Sequence, residues 1–147
     1  QKKSIVLPEG TDIRVVKAAL TAAEEGIADI ILLGSPEKIR SSIANTDFSQ
    51  IRIIEPEKSP EFNEYSEQFY EMRRNKGLTL EKAYDTMHNP LYYGCMLVKT
   101  GAADGMVGGA VYSTGDVMRS ALQIIKTSPD ASLVSAFFIM CVPDCRH

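Results

Sequence analysis

Apolar residues fall into two rhythms along this chain. Short continuous runs, Ser4–Leu7, Ile30–Leu33, Ile51–Ile54, Ala103–Val107 and Leu133–Val142, read as strands closed by turn residues. Between them, apolar positions recur every three or four residues, the spacing of a helix with one buried face. Thr11 caps a first helix whose Ile13, Val16, Leu20 and Ala23 share a face, and Gly26 ends it. Ser35-Pro36 and Ser59-Pro60 are helix starts, with proline where no N–H is needed. The helix after the second start carries Phe62, Tyr65, Phe69 and Met72 on one side and closes at Gly77. Thr79–Met87 and Leu91–Thr100 are helical, with Asn89-Pro90 between them and Gly101 as a C-terminal stop; Ser113–Lys126 is the last helix. Strands alternating with helices predict an α/β fold: a parallel, or mostly parallel, sheet with helices on both faces.

Ala103–Lys126 stands out from this background. A short strand runs into Gly108-Gly109, then into the hydroxyl residues Ser113 and Thr114, then into an amphipathic helix bearing Arg119. Outward-pointing N–H groups in such a turn, next to a helix N-terminus, make a place for an anion. Ser113 and Asp116 form an S-x-x-D capping pattern. The turn Pro8-Glu9-Gly10 also follows a strand, so both turns lie at the carboxyl edge of the sheet, where ligands bind in open α/β folds.

Composition narrows what that anion can be. The 147 residues fit one domain, with 44% hydrophobic and 24% charged residues and a net charge of −3. No basic field attracts nucleic acid or an acidic membrane, so an anion must be held by a few placed groups. No apolar run reaches the ~18 residues of a membrane span, and no signal peptide opens the chain. Three cysteines without framework spacing favour a reducing, cytoplasmic setting. The apolar strand ending at Val142 needs both faces covered, yet only Cys145-Arg146-His147 close the chain. Residues 1–147 therefore read as a single α/β domain, itself incomplete, with something missing downstream.

Individual residues admit plain readings as well as functional ones. Arg119 shares a polar stripe with Gln123 and Lys126, the ordinary face of a solvated helix. It also leans back toward the glycine turn, where a cation near the positive helix end gains from a bound anion. Arg73 and its neighbours in R-R-N-K-G complement a helix C-terminus, and the residues alone favour that reading. His88 has no partner at triad or metal spacing and suits a turn. Cys141, Cys145 and His147 could be drawn as a zinc cluster, but they lack a second ligand pair, and no metal is expected.

Three blocks resemble the phosphotransacetylases (phosphate acetyltransferases), with phosphate butyryltransferases as close relatives. They are I-V-L-P-E-G-T-D-I-R-V-V-K-A-A at Ile5–Ala19, R-R-N-K-G at Arg73–Gly77, and A-D-G-M-V-G-G-A with S-T-G-D-V-M-R-S-A-L-Q-I-I-K-T within Ala103–Thr127. The resemblance implies two α/β domains with a cleft between them, commonly a cytoplasmic homodimer, and residues 1–147 as most of the first, N-terminal α/β domain, itself incomplete. It implies reversible transfer of an acetyl group between CoA and phosphate, with CoA a substrate and no permanently bound cofactor. A butyryl-specific enzyme and a non-catalytic CoA- or phosphate-binding module are the alternatives. Arg119 falls on the arginine associated with the phosphate or acyl phosphate, and Arg73 on one associated with CoA. Gly108, Gly109, Ser113 and Thr114 are the expected substrate-binding positions. Members commonly carry His at Tyr112, Ala at Gly115 and Pro at Ser120. No base for the CoA thiol is evident in the chain, which alone should be nearly inactive.

Overall fold

Four parallel strands form the sheet in a computed structural model, which describes residues 2–131 and 134. The expected strand Leu133–Val142, apart from Val134, and the Cys141, Cys145 and His147 group lie outside the described residues. In chain order the elements are β1 (Ser4–Leu7), α1 (Ile13–Glu24), β2 (Asp29–Leu33), α2 (Pro36–Ser41), β3 (Ile51–Ile54), α3 (Phe62–Arg73), α4 (Leu80–Met87), α5 (Pro90–Lys99), β4 (Gly105–Met106) and α6 (Thr114–Ile124). The strands lie in the order β3-β2-β1-β4.

Strand residues alternate between two cores, which is why the runs are apolar at nearly every position. Val6, Ile31, Leu33 and Ile54 face one cluster with Phe62, Tyr65 and Phe69 of α3, Tyr93 and Met96 of α5 and Ile124 of α6. Ile30, Leu32 and Ile51 face the other, against Val16, Ala19 and Ala23 of α1 and Ile39 of α2. Fully buried residues such as Leu32 and Phe69 each contribute ~1.5–3 kcal/mol by leaving water.

The helix boundaries correct several expectations. Asp12, not Thr11, caps α1: its Oδ1 accepts the Arg14 N–H at 2.8 Å. The carboxylate reaches the first turn from the residue directly before the helix, and Thr11 is one residue too early. Ser35-Pro36 does open α2, although the Ser35 hydroxyl makes no cap hydrogen bond. Ser59-Pro60 sits in a turn ahead of α3, which begins at Phe62 after Glu61. Ser59 is engaged elsewhere, accepting a 2.6 Å hydrogen bond from the Tyr93 hydroxyl. Ser113 caps α6 as expected; Asn89, read as part of the break between two helices, caps α5, which begins at Pro90, and β4 is shorter than the apolar run Ala103–Val107. α6 ends at Ile124 because Lys126 takes a left-handed conformation, φ 68°.

Candidate functional site

Strand order fixes where a ligand site belongs. From β1 the chain steps to β2 and β3, then crosses back over α3–α5 to place β4 on the far side of β1. The gap between β1 and β4 is thus the point where the winding reverses, the usual location for ligands in such sheets. Val6 pairs with Met106, so the turns after the two strands abut.

At that point the structure holds an anion of its own. Glu9, only 5% exposed, points its carboxylate from the first turn into the second. Oε2 accepts the N–H groups of Gly109 and Ala110, both at 2.9 Å. Oε1 accepts those of Val111 at 2.6 Å and Tyr112 at 2.8 Å. Burial pushes this carboxyl up, but the four N–H groups outweigh it and hold the acid below its ordinary range. The nest of amides foreseen in the glycine turn exists, and a residue about 100 positions upstream fills it.

The glycines serve that arrangement in different ways. Gly109 has φ 114°, a conformation costly for any residue with a Cβ, and open space lies around its Cα. Its need is therefore conformational. A Cβ on Gly108 would instead come within 3.1 Å of the Pro8 ring.

Beyond the loop, Ser113 and Asp116 close the capping pattern. Ser113 Oγ accepts the Asp116 N–H at 3.2 Å and donates to Asp116 Oδ2 at 2.7 Å. Arg119 Nη1 donates to the other oxygen of Asp116 at 2.9 Å. The anion that compensates Arg119 near the helix start is thus partly supplied by α6 itself. The Arg119 side chain is nevertheless 60% exposed. Among the described residues, nothing accepts from the N–H groups of Thr114 and Gly115.

Arg73 ends α3, half-buried, and makes no ion pair among the described residues; its neighbour Arg74 pairs with Glu71 at 3.2 Å. Arg73 and Arg119 each lie within electrostatic reach of Tyr92 of α5. The Tyr92 ring packs edge-on against Phe69, one turn before Arg73, at 5.6 Å between centroids. Burial raises the Tyr92 hydroxyl pKa, and the positive charges of Arg119 and Arg73 both reach it and oppose that rise. Other titratable groups have settled roles. His88 ends α4 with Nδ1 on the Tyr84 carbonyl at 3.1 Å, and burial pushes the Cys95 thiol up.

The family model described as phosphate acetyl/butaryl transferase matches residues 1–147. The chain belongs to that family. It is 53% identical over 145 residues to the phosphate acetyltransferase of Thermoanaerobacterium thermosaccharolyticum, covering 99% of this chain and 44% of that protein. The phosphate acetyltransferase of Acetivibrio thermocellus is 48% identical with the same coverage. Among solved structures, a phosphotransacetylase from Streptococcus pyogenes superposes with a TM-score of 0.82 at 44% identity, over 90% of this chain and 40% of that one. EutD phosphotransacetylase from Staphylococcus aureus gives 0.81 at 43% identity, with the same coverage. The chain therefore spans less than half the length of these relatives.

Membership in the phosphate acetyl/butaryl transferase family makes the three departures worth locating. Tyr112 contributes its backbone N–H to Glu9, which His would supply equally well. A Cβ at Gly115 meets nothing nearer than Ser113 Oγ at 3.7 Å, so Ala fits there. Ser120 is fully buried and donates to the Val117 carbonyl at 2.9 Å. None of the three touches the Glu9 carboxylate with its side chain. Sequence reasoning missed Glu9 and Tyr92. An acidic residue in one carboxyl-edge turn and a glycine nest in the other carried the first signal. What the sequence lacked was that β1 and β4 are neighbours.

Proposed function

We propose that the full-length protein transfers an acetyl group reversibly between CoA and inorganic phosphate. The observation that carries this reading is that Arg73 and Arg119, from two different helices, both lie within electrostatic reach of Tyr92. Acyl phosphate and CoA are multiply charged, and guanidinium forks match phosphate oxygens better than point charges do. Arg119 takes the acyl phosphate and Arg73 the CoA phosphates. Ser113 and Thr114 contribute hydroxyl and backbone groups at the start of α6, with Gly108 and Gly109 shaping the loop that leads there.

In the direction of acetyl-CoA formation, the CoA sulfur attacks the acetyl carbonyl carbon. A C–S bond forms, the bond from that carbon to the bridging oxygen breaks, and phosphate leaves with the electron pair. Arg119 neutralises charge gathering on the departing phosphate. The thiol proton needs a base, since a free thiol near pKa ~8.5 is only a few per cent ionised at neutral pH. Glu9 is unsuited, with its oxygens occupied by four N–H donors, and Asp116 is held low by Ser113 and Arg119. On this reading the base and the opposite wall of the cleft come from the rest of the polypeptide, and this chain is the first of two α/β domains. The enzyme works as a cytoplasmic homodimer in acetate metabolism. The cysteine usage supports the compartment, as does the lack, among the described residues, of any helix able to cross a membrane.

The test is acetyl-CoA formation by the full-length polypeptide from acetyl phosphate and CoA, with butyryl phosphate beside it. Faster turnover of acetyl phosphate is expected. Preference for butyryl phosphate would reassign the acyl group, and CoA binding without any transfer would make the protein a binding module.

A further inference from the structure

Resting on the acyl-transfer reading, we propose that Glu9 is a positioning residue: its carboxylate is the resident anion of the β4–α6 loop and sets where Ser113 and Arg119 stand. The first support is saturation. A carboxylate offers about four acceptor sites, and four convergent N–H groups take them at 2.6–2.9 Å. A substrate phosphate cannot use the same amides, because it would have to displace a buried negative charge. The loop amides thus build the site without binding the ligand, and external anions are left to side chains and to α6.

The second support is that the loop is gripped by its carbonyl side as well. Arg14 Nη2 donates to the Ala110 carbonyl at 2.8 Å. Arg14 is held in turn by Asp12, at 3.0 Å from Nε and 2.8 Å from Nη2. The third is the hand-off. Tyr112, the last clamped amide, precedes Ser113, whose hydroxyl holds Asp116, which holds Arg119. A shift of the loop is therefore passed to the guanidinium through one residue and three hydrogen-bonded side chains.

Chemistry separates this role from simple filling of space. Glutamine has almost the shape of glutamate, but only one of its terminal atoms accepts. In Glu9→Gln two of the four N–H groups would face an NH2 donor instead of an oxygen. A role in packing alone would tolerate that change.

The experiment uses the full-length polypeptide, with wild-type acetyl transfer measured first. Glu9→Gln is expected to lower kcat/KM for acetyl phosphate by about tenfold or more, while KM for CoA stays within about twofold. In an Arg119→Ala background the same change should cost less than about twofold, because the two residues act through one contact series. In Glu9→Ala, formate should restore part of the lost rate, and chloride at equal ionic strength should not. Should Glu9→Gln fail to fold, Arg14→Ala removes the carbonyl grip from an exposed side chain; a smaller loss of about threefold in the same parameter is then expected. Unchanged kcat/KM in the Glu9 variants, or in Arg14→Ala where it replaces them, would overturn the positioning role. So would a full loss repeated in the Arg119→Ala background. Absence of wild-type transfer would overturn the proposed function, and the positioning role with it.

Discussion

Two cation-rich regions adjoin in this molecule, and they differ in what satisfies them. In the loop Gly109–Tyr112 the positive groups are backbone N–H dipoles, and a buried carboxylate from the same chain already fills them. Around Tyr92 they are the guanidinium groups of Arg73 and Arg119, one without an ion pair among the described residues and one bound only to an exposed neighbour on its own helix. The closed region is rigid and specifies position. The open region carries net charge toward solvent, and on the proposed function it is what a substrate anion meets. Anion-binding geometry is therefore not the same as a vacant anion site, and accessibility of the positive groups distinguishes the two.

The largest expected effect attacks the closed region at its base. A Cβ on Gly10 would lie 2.5 Å from the Leu33 backbone oxygen, which accepts the Gly10 N–H at 3.2 Å. Backbone atoms cannot swing aside as a flexible side chain can. Gly10→Ala should therefore lower unfolding free energy by about 3 kcal/mol in denaturant titration of the full-length polypeptide. A change below about 1 kcal/mol would mean that the β1 and β2 ends yield, and that Glu9 is not carried on a fixed turn.

The open region is probed by kinetics. Arg119→Ala should remove about 3 kcal/mol of transition-state stabilisation, roughly a hundredfold in kcat/KM for acetyl phosphate. An unchanged kcat/KM would leave the Asp116 contact as the side chain's whole role. Arg73→Ala should raise KM for CoA about tenfold with little change for acetyl phosphate. Equal shifts for both substrates would show that the two arginines share one ligand and that the open region is a single subsite.

Much of this layout was legible from residue order alone, because continuous apolar runs and period-3.6 patterns report burial directly. Ile51–Ile54 matches β3 residue for residue, and the face Phe62, Tyr65, Phe69 lies in the core. Local competition misled the caps. Thr11 and Asp12 can each accept from a first-turn amide, and Asp12 also gains the Arg14 guanidinium. Ser59 caps no helix because the Tyr93 hydroxyl reaches it from 34 residues away. The anion nest was readable as a nest; its occupant was not. Glu9 and Gly109 are brought together only by the β1–β4 pairing, and no local pattern encodes which strands become neighbours.

The smallest expected effect follows from titrating the closed region's own anion. Glu9 has a folded pKa below its ordinary 4.5, so the stability it contributes is fully present above that value and is lost as pH falls through the lower one. The charged groups around it do not interfere in that window. Arg14 stays protonated, and Asp12 is held down to about 2 by the Arg14 guanidinium. Tyr112, its pKa raised by burial and by the charges of Glu9 and Asp116, remains neutral. Asp116 is depressed from 3.8, chiefly by Ser113, so its own loss begins at lower pH. Between neutral pH and about 5, protection of the amides 109–112, taken relative to their intrinsic exchange rate at each pH, should therefore hold steady, and below the ordinary glutamate range it should fall ahead of protection in the buried strands. Glu9→Gln should remove the acid step at these four amides and leave them exchanging fast throughout. Protection that survives acid as well in the loop as in β2 would mean that the carboxylate is not what holds the nest closed, and the contrast between the closed and the open region would fail at its first term.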